Sequence, residues 1–391
     1  MLIEEVKYHL KNVIIPFWKG LHDEEYGGYY GYVDFDLNID PKAIKGCILN
    51  SRILWFFSNA YQLLGDVSLL EEANHAYSFM KEHCIDKVNG GIFWSLNYDG
   101  TIFDSTKHTY NQAFAVYALS SYYKVSKEKE ALELAWSIYN IIEDKCSDIN
   151  GYKEAFNINF LPVSNDKLSE NGIIAEKTMN TLLHVFEAYT EFFRVTKEEK
   201  VAERLRFILD IFAEKAYNPE KLRQEVFFDK DWNSLIDLQS YGHDIETAWL
   251  LDRGLEVLKD ESYTQRIKLI TKNLTRKVYE TAYDRDSLLN ECENGVNNTR
   301  RIWWVQAEAV VGFLNGYQND TKKTEYLDAV LHIWKFIKQH LIDERKGSEW
   351  FWEVDEDGNT TSRKPIVEPW KCPYHNGRMC IEIIRRNVDV A

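Results

Sequence analysis

The chain has 391 residues, 45% hydrophobic and 28% charged, with 19 Gly, 7 Pro and a formal net charge of −15. That length and balance allow a large buried core and exclude a disordered or low-complexity chain. The acidic balance, with no long basic run, argues against nucleic acid or an anionic membrane as partner. Aromatic residues reach 14%, with 12 Trp and 23 Tyr, which suits both a large core and a site where sugar C–H faces stack on rings. The opening MLIEEVKYHL carries two Glu and no long apolar stretch, so it does not read as a signal peptide. No segment approaches the ~20 apolar residues of a membrane span. The six cysteines form no CxxC pair and read as reduced thiols of a cytoplasmic protein.

In chain order, helical periodicity predicts about twelve helices, over 3–19, 48–64, 68–84, 106–125, 129–146, 174–196, 197–216, 242–258, 262–281, 301–317, 323–341 and 374–387. They alternate in character. The segments holding Leu54–Phe57, Ala113–Leu119, Leu182–Phe186 and Val305–Leu314 are apolar nearly all round, whereas 129–146, 197–216 and 323–341 carry one charged face. A helix apolar all round is enclosed, and a striped one covers something. Six enclosed helices alternating with six covering ones describe an all-α fold, an (α/α)₆ barrel. Four aromatic stretches, Gly27–Tyr32, Gly90–Trp94, Val226–Asp229 and Glu349–Trp352, the last with an Asp357-Gly358 turn, predict short β-hairpins on one rim. No Pro/Gly/Ser-rich linker divides the chain, so a single catalytic domain over 1–391 is expected.

In such a barrel the starts of the inner helices line a central pocket, and polar residues there are the candidates. Arg52 offers a fixed fork of donors to a hydroxyl or oxyanion. Tyr110 is placed to stack on a sugar or bond it, while neighbouring His108 reads better as a structural cap. Asn180 and His184 lie i, i+4 on one face of an apolar helix. His243 and Glu246 lie i, i+3, with Trp249 three residues further. A His beside a carboxylate and an aromatic platform suits proton transfer. The same pair would suit a metal only with a second such motif, which the sequence lacks. Trp303, Trp304 and Glu308 open another helix, and a carboxylate amid Ala307, Ala309 and Val310 needs a partner. Trp370 and His375 flank a stiff loop before the last helix, whose cysteines lack zinc spacing.

Three segments carry a resemblance: Asn50-Ser51-Arg52-Ile53-Leu54-Trp55, Tyr241-Gly242-His243-Asp244-Ile245-Glu246 and Trp370-Lys371-Cys372-Pro373-Tyr374-His375-Asn376-Gly377-Arg378. With the helix-pair pattern, from Ile15-Pro16-Phe17-Trp18 onward, they resemble the N-acylglucosamine 2-epimerase superfamily. The resemblance implies an (α/α)₆ barrel and cofactor-free, metal-free epimerisation at carbon 2 of a reducing-end glucose, with cellobiose or lactose as the disaccharide. It implies His243 and His375 as the acid/base pair. Arg52, Tyr110, Asn180, His184, Glu246, Trp249, Trp304, Glu308 and Trp370 fall at substrate or supporting positions; which of Trp303 and Trp304 faces the sugar stays open.

The chemistry fits the residue types. Removing a proton beside an aldehyde gives a cis-enediolate, and its return to the opposite face needs two titratable groups across one pocket. Arg52 and His184 are expected as donors to the carbonyl oxygen, and Glu246 and Glu308 as the residues that orient the histidines. Protonation at carbon 1 instead would give a ketose, so aldose–ketose isomerisation is the nearest alternative. A glycoside hydrolase using Glu246 and Glu308 would leave both histidines without a role, and a sugar-binding protein would bind without turnover. The expected partner is a small-molecule disaccharide, with no nucleic acid or membrane, and the protein is expected to be a monomer or weak homodimer.

Overall fold

The computed structural model describes residues 2–168 and 171–388. The chain opens with α1 (Leu2–His9) and α2 (Ile15–Lys19), joined by a π turn. There follow α3 (Cys47–Leu64), α4 (Val67–Phe79), α5 (Thr109–Ser126), α6 (Lys129–Ile141), α7 (Met179–Thr196) and α8 (Glu199–Ile211). The remainder are α9 (Tyr241–Leu258), α10 (Glu261–Ala282), α11 (Trp303–Asn319), α12 (Thr324–Phe336) and α13 (His375–Arg386). α3, α5, α7, α9, α11 and α13 are the inner helices, each touching the next, and α13 closes the ring against α3. The outer layer is α1–α2, α4, α6, α8, α10 and α12. This is the (α/α)₆ barrel that the alternation predicts.

The alternation has a local cause. Five inner helices end in a left-handed residue, and four of these, at Gly65, Lys127, Lys197 and Lys259, lead straight into an outer helix. An acid follows at once, Asp66, Glu128, Glu198 or Asp260, as the N-cap of the outer helix. Two residues therefore suffice to reverse the chain. The lysines sit where the helix macrodipole favours a cation, and the acids where it favours an anion. α4, α6, α8 and α12 each finish in a π turn, through Cys84, Cys146, Ala216 and Leu341.

The rim strands are two or three residues long. They differ from the predicted hairpins in their partners. Phe227–Phe228 pairs with Lys177–Thr178 just before α7, and Glu353–Val354 pairs with Arg301–Ile302 just before α11. An inner helix thus starts from a strand pinned to its neighbour, which places the helix starts at 109, 179 and 303 rather than 106, 174 and 301. One hairpin has no counterpart among the sequence expectations: Glu291–Glu293 pairs with Val296–Asn298 and with Leu238–Ser240. It turns at Asn294-Gly295, both at positive φ.

Beneath this rim a buried cation recurs. Lys45, Lys107, Lys177 and Arg301 each lie two residues before an inner helix and pair with Asp23, Asp86, Asp148 and Asp284 at 2.5–2.9 Å. Lys371 pairs with Glu349 at 2.7 Å before α13. Lys107 also donates to the Gly90 carbonyl, 3.1 Å away, and so ties a glycine turn to the helix start. In the fourth repeat Gln239 takes the cation's place and bonds Asp244 at 2.9 Å. Losing one partner of a buried pair strands a charge. Asp86→Ala is expected to lower stability by about 3–5 kcal/mol, read as a fall in the urea unfolding midpoint.

Candidate active site

Inner-helix positions two and six, one turn apart on the same face, converge on the barrel axis. Position two holds Tyr110, Asn180, Gly242 and Trp304; position six holds Arg52, His184, Glu246 and Glu308. His375 opens α13, and His243 is the third residue of α9.

His375 Nδ1 lies 2.8 Å from Glu308 Oε1. A carboxylate accepts, so Nδ1 carries the proton and Nε2 keeps its lone pair. Glu308 is held in turn by Trp249 Nε1 at 3.0 Å and Arg378 Nη2 at 2.7 Å. His243 Nδ1 lies 2.7 Å from Ser240 Oγ, leaving Nε2 free. Trp304 touches both rings, with centroids 4.7 Å from His243 and 5.5 Å from His375. The alanine methyl of a substituted Gly242 would come within 2.6 Å of Trp304, so only glycine lets the indole lie this close. His184 Nδ1 lies 2.9 Å from Glu187 Oε2. Arg52 donates to the Tyr110 hydroxyl at 2.7 Å and to the Trp370 carbonyl at 3.4 Å, and stacks over Phe114 and Tyr374. Trp370 faces Tyr110 and Trp94, with centroids 5.9 and 5.7 Å away, at the mouth.

Several expectations change. Glu246 does not orient His243: Ser240 does, and Glu246 bonds Arg378. Trp249 is fully buried and serves Glu308 rather than a sugar face. Of the tryptophan pair, Trp304 faces the site, while Trp303 is buried against Trp352 at 4.7 Å. His184 bonds Glu187 through Nδ1, so the neutral ring offers a lone pair to the pocket. That makes it an acceptor for a hydroxyl, not the expected donor to a carbonyl oxygen. Tyr110 fits the donor role instead, since its oxygen accepts from Arg52 and its proton stays free. Asn180 Oδ1 is buried without a partner among the described residues.

The sequence reading missed the hub of the site. Arg378 bonds Glu187, Glu246, Glu308 and the Tyr374 hydroxyl, and Tyr374 also donates to Glu187. Glu187 had a visible signal, a carboxylate at i+3 from His184 in an apolar helix. Arg378 closes the Trp370–Arg378 segment of the resemblance, but its role had no local signal, because its three carboxylate partners lie 70 to 191 residues away.

The charges balance in one way. Two buried guanidiniums, Arg52 and Arg378, face three carboxylates. One proton held among the carboxylates gives neutrality. Glu308 receives three donors; among the described residues Glu246 receives Arg378 alone, and its Oε2 has no partner. Burial and then the charge of Glu308 push Glu246 up to about 8. Burial would raise Glu187 too, but Arg378, His184 and Tyr374 hold it below the usual carboxylate range. Desolvation, then His184 and His375, push His243 down to about 3. Desolvation, then Arg378 and Arg52, hold His375 well below the ordinary imidazole value. Both rings are therefore held toward the neutral form at neutral pH. Glu246, Glu308 and His375 bring ligand-type atoms within 4.8 Å of one another. Arg378 already bonds both carboxylates, so a metal ion would confront a guanidinium at hydrogen-bonding range.

Two outcomes are expected. Gly242→Ala displaces Trp304 and lowers kcat by at least about tenfold, with the far-ultraviolet circular dichroism unchanged. A carboxyl whose folded pKa is raised contributes stability that is full below about 4.5 and lost as pH rises through about 8. Calorimetry of Glu246→Gln should accordingly show a shallower fall of Tm between those limits than the parent shows.

The N-acylglucosamine 2-epimerase (GlcNAc 2-epimerase) family matches residues 27–376. A cellobiose 2-epimerase from Eubacterium cellulosolvens is 49% identical, over 99% of each chain. A sugar epimerase from a ruminal bacterium superposes with a TM-score of 0.98 at 47% identity, over 100% of both chains. The cellobiose 2-epimerase of Bacillus thermoamylovorans gives 0.94 at 44% identity, over 98% of this chain and 99% of that one.

Proposed function

The chain belongs to the N-acylglucosamine 2-epimerase family, and from that premise we propose that it is a cellobiose 2-epimerase. It interconverts glucose and mannose at the reducing end of β-1,4-linked disaccharides, turning cellobiose into glucosyl-mannose and lactose into epilactose. The observation that carries this reading is the pair of histidines that flank Trp304, each with Nδ1 tied and Nε2 free. The full-length relatives named cellobiose 2-epimerase support it.

The sugar ring opens to an aldehyde, which acidifies the hydrogen on carbon 2. One ring enters neutral and takes that proton through Nε2, giving a cis-enediolate. The other takes up a proton from solvent water as the anionic enediolate forms beside it, and returns a proton to the opposite face. The first ring then gives its proton back to solvent, so the reverse reaction uses the same groups. For His375, Glu308 stabilises the imidazolium that forms. The Tyr110 hydroxyl, polarised by Arg52, bonds the developing oxyanion. His184 accepts a sugar hydroxyl, Trp304 supplies a stacking face, and Trp370 supplies one further out. No step calls on a metal or redox cofactor.

The chain works as one catalytic unit over 1–391, in the cytoplasm, as a monomer or weak homodimer. Its cysteines are unbridged thiols, in keeping with a reducing compartment. Among the described residues no helix is long and apolar enough to cross a membrane.

Proton NMR with cellobiose in D₂O, without added metal or nucleotide, tests the reading. Glucosyl-mannose with deuterium at carbon 2 is expected. A ketose as main product would move the assignment to aldose–ketose isomerase, and free glucose to hydrolase. His375→Asn and His243→Asn are each expected to lower kcat by about 10²–10⁴-fold; near-parental turnover by either would overturn its assignment.

A further inference from the structure

The two histidines differ in what holds them. Glu308 can only accept, so His375 is confined to one neutral tautomer, Nδ1–H with a lone pair on Nε2. A serine hydroxyl can donate or accept, so the tautomer of His243 depends on where the Ser240 proton points.

Two features decide its direction. Ser240 is the N-cap of α9, and a serine there ordinarily accepts from a backbone N–H in the first turn. Its side chain makes no such bond. The hydroxyl is turned instead to the imidazole of the third helical residue, 2.7 Å away. In addition, that hydroxyl proton has no other acceptor among the described residues; the lone pair of His243 Nδ1 is the one within reach. The strand register fixes the serine, since Ser240 pairs with Glu291 in the sheet formed by Leu238–Ser240 and the Glu291–Asn298 hairpin.

We propose that Ser240 is a positioning residue: its hydroxyl donates to Nδ1 of His243 and sets that ring in the Nε2–H tautomer, opposite to the one Glu308 imposes on His375. This rests on the two-histidine reading above. In the resting site one ring presents a lone pair to the substrate and the other presents N–H. His375 is preset as the acceptor. His243 already holds its proton on the nitrogen that faces the pocket; it becomes the acid when solvent water delivers a second proton to Nδ1 and the Ser240 hydroxyl turns to accept it. Having no carboxylate beside its Nδ1, the charged form of His243 gives up a proton more readily than the charged form of His375. The pocket thus has a built-in polarity that two identical side chains would otherwise lack.

Long-range proton–nitrogen spectra of the ¹⁵N-histidine-labelled full chain test this without reference to turnover. The parent is expected to show Nε2 protonated at His243 and Nδ1 protonated at His375. Ser240→Ala is expected to give a mixed tautomer at His243 and to lower kcat by about tenfold or more, with KM within about twofold and Tm unchanged because no cap is lost. Ser240→Thr, which restores a hydroxyl, should recover both the spectrum and kcat. A parent His243 protonated at Nδ1 overturns the proposal, as does a Ser240→Ala variant with parental kcat. If that variant fails to fold, the parent spectrum still decides. An inactive parent on cellobiose would overturn the epimerase reading and leave the tautomers to be judged from the spectra alone.

Discussion

One buried guanidinium organises the floor of this site. Arg378 stands on the last helix and is accepted by Glu187 of α7, Glu246 of α9 and Glu308 of α11. A buried carboxylate without a partner is costly, so three helices must deliver theirs to one place. His375 lies three residues before Arg378, on the same side of the helix. Once the guanidinium is seated, the ring of His375 comes to rest against the carboxylate of Glu308. The position of the base is therefore a consequence of an ion network, not of a local loop.

The same network settles the charge of the pocket. Arg52 has no carboxylate partner among the described residues and is held by a phenol, a carbonyl and two aromatic faces. With Arg378 it balances Glu187 and Glu308, provided Glu246 keeps a proton. The histidines then sit between two cations in a dry environment and stay neutral. A neutral imidazole is a base ready for a carbon acid, and two nearby cations favour the enediolate that follows. Placing the carboxylates below the histidines, rather than facing the sugar, avoids repelling that anion.

The rim holds the mouth open in register with the floor. Each buried lysine or arginine under a rim strand ties the start of one inner helix to the turn after the preceding outer helix. The fourth repeat departs from this: Gln239 replaces the cation, and the adjoining Ser240 bonds the histidine ring instead of capping its helix. The departure falls on the helix that carries His243, where another cation close by would further disfavour a charged ring.

Much of this was legible in the sequence. Enclosed helices such as the one holding Leu54–Phe57 alternate with striped ones such as 323–341, and that alternation depends only on which faces are apolar. It sufficed for the barrel, for its six-fold repeat and for the polar residues at the inner helix starts. His243, His375, Arg52, Tyr110, His184 and Glu308 stood out because polar groups in apolar helices need a reason. The tertiary structure decided what each of them faces. Glu246 lies i+3 from His243, yet its carboxylate goes to Arg378, because a full positive charge from a distant helix outcompetes a neutral ring nearby. Trp303 and Trp304 are adjacent, and one residue turns a helical side chain by ~100°, so only packing chose Trp304 for the site. Arg378 closed one motif segment without a role of its own, since three carboxylates 70 to 191 residues away meet it only when the ring closes. Sequence periodicity reports a residue's environment along its own helix; the partners of a buried charge are set by which helices the closed barrel brings together.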